Sequence, residues 1–216
     1  MTLLSKAWLP AGLLLAVAFV LAGCGGAGGG QHGSGSGDGM DHGQMGHGSM
    51  GSGEMARRMV MENGKYSDER FIDAMVPHHQ GAIAMARVAL ENAEHEEIEE
   101  LSRNIVATQQ AEIEELKAIK KEAFGTSNVP MEMSPQQMRS MGMMTNPQHL
   151  AQSKPFDEAF IDAMIPHHQS AIYMAQVANR ESENQRIKEL ARNIVSAQKG
   201  EIEQMRGWRE QWYQEG

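Results

Sequence analysis

Phe71–Gln80 reads FIDAMVPHHQ, and Phe160–Gln169 reads FIDAMIPHHQ. The ten residues recur 89 positions later with one change, Val76 to Ile165, and each copy carries two adjacent histidines directly after a proline. Extended outward, 29 of the 49 positions from Asp68 to Leu116 match at the same offset, so the repeat covers more than one element. In the first copy Phe71, Met75, His78, Ala82, Met85 and Ala89 fall at spacings of three and four, the signature of one helical face. Phe160, Met164, His167, Ala171, Met174 and Ala178 repeat it. Ser67 stands where an N-cap belongs, with acids in the first turn behind it.

A second helix follows near residues 95–123. Its stripe is Ile98, Leu101, Ile105, Gln109, Glu112, Leu116 and Ile119, with Gly125 as the stop. The copy reads Ile187, Leu190, Ile194, Gln198, Glu201, Met205 and Trp208. Two helical hairpins that cannot bury their faces alone should pack together. The fold class is therefore all-α, a four-helix bundle over 65–216. Repeat one spans 66–124 and repeat two 154–213, joined by a Met- and Pro-rich linker over 125–153. Two copies at this offset are too few and too long for a solenoid. Pro77 and Pro166 lie inside the helical pattern. They predict either a kinked helix, favoured by the continuous face, or a helix restarting with proline at its first position.

Gln109, Glu112, Gln198 and Glu201 interrupt stripes that should face the core, and each first helix turns histidine inward. A buried carboxylate is costly unless paired or metal-bound. The bundle should thus hold a central layer of His78, His79, His167, His168, Gln109, Gln198, Glu112 and Glu201, flanked by Met75, Met85, Met164 and Met174. Two readings of it stand: a polar network that fixes register, or a metal site built from His, Met and Glu.

The N-terminus is a processing signal. Lys6 precedes an apolar run too short for a comfortable membrane span, which ends in LAGC at residues 21–24. That resembles the lipobox of bacterial lipoproteins and implies a signal peptide over 1–23, a lipidated Cys24, a membrane anchor and an extracytoplasmic location. Cys24 is the chain's one cysteine, so no intramolecular disulfide can form. The net charge of -9 argues against nucleic acid as a partner.

Residues 24–64 read as a Gly-, Met- and His-rich tether, most Gly/Ser-rich over 25–53, where too little apolar surface exists to offset ordering entropy. Methionine is over-used, 18 in all, and four of them fall every five residues in this segment: Met40, Met45, Met50 and Met55. His42 and His47 each follow a methionine by two, and His32 stands nearby. A tether has no core for thioethers to fill. Thioether with imidazole is a soft donor set that suits Cu(I), and imidazole also takes Cu(II). The linker repeats the style in Met131, Met133, Met138, Met141, Met143, Met144 and His149, which serve equally as gap-fillers at one end of a bundle.

FIDAMxPHHQxAIxMA followed by RNIVxxQxxEIxxM resembles the ferritin-like family called domain of unknown function 305, over about residues 66–212. The resemblance implies a ferritin-like four-helix bundle in an extracytoplasmic protein, with copper binding in some members. The Glu-x-x-His pairs of carboxylate-bridged di-iron bundles are missing, which weighs against oxidase chemistry. The sequence thus reads as a copper-binding lipoprotein that sequesters copper or passes it to a transfer partner, with copper not essential to the fold and no reaction assigned. The alternatives are a ferritin-like metal-dependent oxidase and a metal-free structural or partner-binding bundle. The candidate metal ligands are the tether residues His32, Met40, His42, Met45, His47, Met50 and Met55, with Met75, His78, His79, Met85, Glu112, Met164, His167, His168, Met174 and Glu201 in the bundle.

The tether reading is checked on a peptide of residues 38–56. It should bind Cu(I) more tightly than Zn(II), and replacing its four methionines by leucine should weaken Cu(I) far more than Zn(II). Equal losses for both ions in a competition titration would remove the thioether argument.

Overall fold

The computed structural model describes residues 52–130 and 146–213, with 134, 135 and 138 between them. It opens with α1 (Ser52–Met59) and a two-stranded antiparallel hairpin, β1 (Met61–Glu62) and β2 (Lys65–Tyr66). The four long helices are α2 (Asp68–Asn92), α3 (Glu96–Phe124), α5 (Phe156–Glu181) and α6 (Gln185–Tyr213), and a short α4 (Pro147–Gln152) precedes α5. α2 packs on α3 and α5 on α6, and the two hairpins meet mainly through α2 and α5. This is the four-helix bundle of two repeated hairpins that the periodicity predicts. Among the described residues no helix is long and apolar enough to cross a membrane.

Local chemistry sets the boundaries. The Ser67 hydroxyl accepts from the Arg70 amide at 3.3 Å and caps α2. α3 ends at Gly125, whose φ of 75° is the left-handed conformation glycine adopts without strain, and the Gly125 amide donates to the Lys121 carbonyl. Asn184 begins α6, its side-chain oxygen accepting from the Arg186 amide at 3.0 Å. α2 and α5 run without interruption through Pro77 and Pro166, so neither proline restarts a helix.

The tether over 24–64 needs a correction at its end. Residues 52–64 are folded: α1 lies against α5, and Ala56 and Val60 are fully buried. Gly and Ser dominate the segment only as far as Gly53. Beyond it Ala56 and Val60 stand four apart on one helical face, and Asn63–Gly64, both at positive φ, make the tight turn of the hairpin. Met55 therefore belongs to a helix, where it is half-buried.

Two apolar clusters fill the bundle. One joins Phe71, Ile72 and Met75 with Ile113, Leu116, Met174, Ile187 and Ile194. The other joins Met85, Ile98 and Ile105 with Phe156, Phe160, Met164, Ile202 and Met205. Each cluster takes the start of one proline-bearing helix and the later half of the other, so α2 and α5 run antiparallel about an approximate two-fold axis. Ion pairs repeat that symmetry: Lys120 reaches Asp73 and Glu69, and 89 residues on Arg209 reaches Asp162 and Glu158. Lys120 is buried, whereas Arg209 is exposed.

Asp157, fully buried, ties the repeats together at one end. Its carboxylate accepts from the amides of Glu94 at 3.0 Å and His95 at 2.8 Å and from His95 Nδ1 at 2.7 Å. His95 is the N-cap of α3; its side chain makes no cap hydrogen bond to its own helix and turns instead to Asp157 of α5. Trp212 stacks on His95 with ring centroids 3.8 Å apart. Asp157→Ala leaves two amides in that turn without their acceptor and should lower unfolding stability by about 2–4 kcal/mol in urea titration. Arg186→Ala, which removes an exposed pair with Glu115 and Glu122, should change it by less than about 1 kcal/mol.

Candidate metal centre

The repeated His pairs lie between the two apolar clusters. His78, His79, His167 and His168 are all fully buried. At consecutive positions of a helix two side chains diverge by about 100°, and the rings of each pair are 6.3 Å apart. One histidine of each pair therefore points across the axis and the other toward its own hairpin partner. His78 and His167 are the crossing pair, with ring centroids 3.8 Å apart and planes tilted by 41°.

The outer pair meets the glutamates of the second helices. His168 Nε2 donates to Glu201 Oε2 at 2.6 Å. His79 Nε2 lies 2.9 Å from Glu112 Oε2, but off the line of a well-formed hydrogen bond. Glu112 and Glu201 keep their side chains 10% and 16% exposed, so the carboxylates bridge the layer to solvent. Gln109 and Gln198, one turn earlier, are buried, and Gln109 Oε1 and both side-chain polar atoms of Gln198 lack protein partners. Met75 and Met174 belong to the cluster on one side of the layer, Met85 and Met164 to the cluster on the other.

The inner pair is asymmetric. The Ser170 hydroxyl donates to the His167 carbonyl at 2.8 Å, so it accepts from His78 Nε2 at 2.7 Å. His167 has no such hydroxyl: no side chain satisfies either of its ring nitrogens, and the backbone group that reaches the ring is that of His78. Burial, reinforced by the imidazoles of His78, His168 and His79, holds the His167 pKa well below its ordinary value of 6.5. The ring is therefore neutral at physiological pH and keeps a lone pair.

These donors suit some ions better than others. Among the described residues no three His, Cys, Asp or Glu side chains converge in metal-ligating geometry. A soft monovalent ion accepts imidazole and thioether at low coordination number, and the layer supplies buried imidazole nitrogens with methionines on both sides. Cys24, His32, Met40, His42, Met45, His47 and Met50 lie outside the described residues, as do the linker residues Met131, Met133, Met141, Met143 and Met144. His149 is exposed on α4. Sequence reasoning missed Ser170 and the Asp157–His95 pair. The first was legible as the difference between PHHQG and PHHQS in otherwise matching copies. The second joins residues 62 apart and left no local signal.

The model of the family described as domain of unknown function (DUF305) matches residues 20–120 and 68–209, and the chain belongs to that family. The solved structure of CopM in the Cu(II)-bound form is 40% identical, with a TM-score of 0.64, and the match covers 69% of this chain and 99% of CopM. CopM in the Cu(I)-bound form is 37% identical, with a TM-score of 0.62, covering 69% and 100%. A DUF305 fragment from Deinococcus radiodurans is 27% identical, with a TM-score of 0.59, covering 65% and 93%. No curated protein matches the chain.

The depressed His167 value has a consequence for stability. The unfolded chain takes up the proton near pH 6.5 and the folded chain only well below it. Stability is therefore full above pH 6.5 and falls as the pH drops, by up to about 1.4 kcal/mol per pH unit from this one group. Urea unfolding should show stability falling as the pH drops below 6.5, more steeply toward pH 5.5 than near 6.5, and H167L should reduce that fall.

Proposed function

We propose that this chain is an extracytoplasmic copper-binding lipoprotein that sequesters copper or passes it to a partner, anchored through lipid at Cys24. The observation that carries the metal reading is the layer of four fully buried histidines between methionine-bearing clusters, in which no side chain satisfies either ring nitrogen of His167. A buried polar atom without a partner costs about 1–3 kcal/mol, and a ligated ion offsets that cost. The 37–40% identity to CopM, solved with Cu(I), Cu(II) and Ag, supports the same reading. The Met/His series of the tether supplies a capture segment of the same donor type. The anchor rests on LAGC following an apolar run. An oxidase reading is the weaker one, because the described donors do not form the carboxylate-rich site that di-iron chemistry uses.

The test uses the full chain with His32, Met40, His42, Met45, His47 and Met50 changed to serine, so that the tether contributes no ligands. Cu(I) or Ag(I) at a hundredfold excess over its dissociation constant should stabilise this protein by about 2.7 kcal/mol. The further double variant His78→Leu/His167→Leu should leave apo stability near neutral or higher, since apolar side chains replace polar ones in the core. Its ion-dependent stabilisation should disappear. Unchanged stabilisation in the double variant would move the site out of the layer. Separately, Cys24→Ala should release the protein from membranes, and continued acylation would refute the anchor.

A further inference from the structure

We infer that the two halves of the histidine layer are not equivalent, and that His167, not His78, is the inner histidine that takes a soft monovalent ion. This rests on the metal reading of the layer and assigns its working ligand. In the repeat that built the bundle, Ser170 corresponds to Gly81 (170 − 89). Elsewhere the layer is duplicated faithfully: His78 with His167, His79 with His168, Gln109 with Gln198, Glu112 with Glu201. The hydroxyl at position 170 is the one polar group in the layer that has no counterpart in the other repeat.

That hydroxyl commits one imidazole. Its own proton goes to the His167 carbonyl, so its lone pair receives the Nε2 proton of His78. For His78 to ligate through Nε2, it must lose both that hydrogen bond and the proton. By sequence Gly81 holds in α2 the position that Ser170 holds in α5, and it is half-buried where Ser170 is buried. Glycine carries no hydroxyl there, and no side chain satisfies either His167 ring nitrogen at full burial. Glycine in the middle of a helix is also costly relative to alanine. Position 81 lies in the interior of α2, and an open imidazole across the axis gives a reason for glycine there. The missing side chain and the unsatisfied ring are one arrangement: a nitrogen ligand held ready in an apolar shell, beside a partner that is hydrogen-bonded and fixed.

The test is run on the tether-substituted full chain, labelled with 15N, by recording the ring nitrogens of the histidines before and after one equivalent of Ag(I). The His167 nitrogens should move on Ag(I) addition while His78 Nε2 keeps its position. Gly81→Ser, which supplies His167 with the hydroxyl that His78 already has, should weaken Ag(I) roughly five- to tenfold in a competition titration. Ser170→Gly should leave the affinity unchanged or raise it. Movement of His78 Nε2 in place of His167 would overturn the assignment and leave the metal reading intact. Movement of none of the four ring systems would overturn both. Should Gly81→Ser fail to fold, the spectra of the parent chain decide alone.

Discussion

The contact between His78 and His167 is the constraint on which the rest of the bundle depends. Two fully buried imidazoles meet on an approximate two-fold axis, 3.8 Å between ring centres, where an ordinary core would place leucines. The His167 ring is neutral there, because burial and the neighbouring imidazoles disfavour its charged form. The crossing of α2 and α5 is set there. The apolar residues divide into one cluster on each side of that crossing, with a methionine from each helix in both clusters.

A polar layer through a bundle core weakens it relative to continuous apolar packing. The chain compensates at the periphery. Asp157 closes the α2–α3 turn from the other repeat, and the Lys120 and Arg209 pairs brace each first helix against the second helix of its own hairpin. α1 adds Ala56 and Val60 to one cluster. These contacts hold the frame in which unsatisfied nitrogens can persist. The glutamates keep an edge in water and give the layer a polar link to the surface without exposing the histidines.

Duplication explains the symmetry, and the departures from it are informative. Arg209 is exposed where Lys120 is buried, Asn184 caps α6 through its own side chain where the His95 side chain turns to Asp157, and glycine stands at position 81 where serine stands at 170. The first two adjust stability at the ends of the bundle. The third lies in the histidine layer itself and divides a pair of identical rings into one bonded to a serine hydroxyl and one whose nitrogens no side chain satisfies.

Most of the architecture was legible in the sequence because helical periodicity and repetition are local properties. The stripes through Phe71 and Phe160, the Ser67 cap, the Gly125 stop and the intrusion of Gln109 and Glu112 into an apolar stripe needed no coordinates. They led to two hairpins, one bundle and a central polar layer. The sequence also showed that histidines would be inward, since they share a face with Met75 and Met85. Tertiary structure decided which histidine of each pair crosses the axis, because that depends on the rotation of α2 against α5. It decided that Asp157 closes the α2–α3 turn of the other repeat, a contact between distant positions with no periodic trace. It turned residues 52–64 from tether into helix and hairpin, since Ala56 and Val60 are apolar enough only when α5 is there to receive them. And it separated His78 from His167, two residues in nearly identical local sequence, by placing the Ser170 hydroxyl of the opposite helix beside His78.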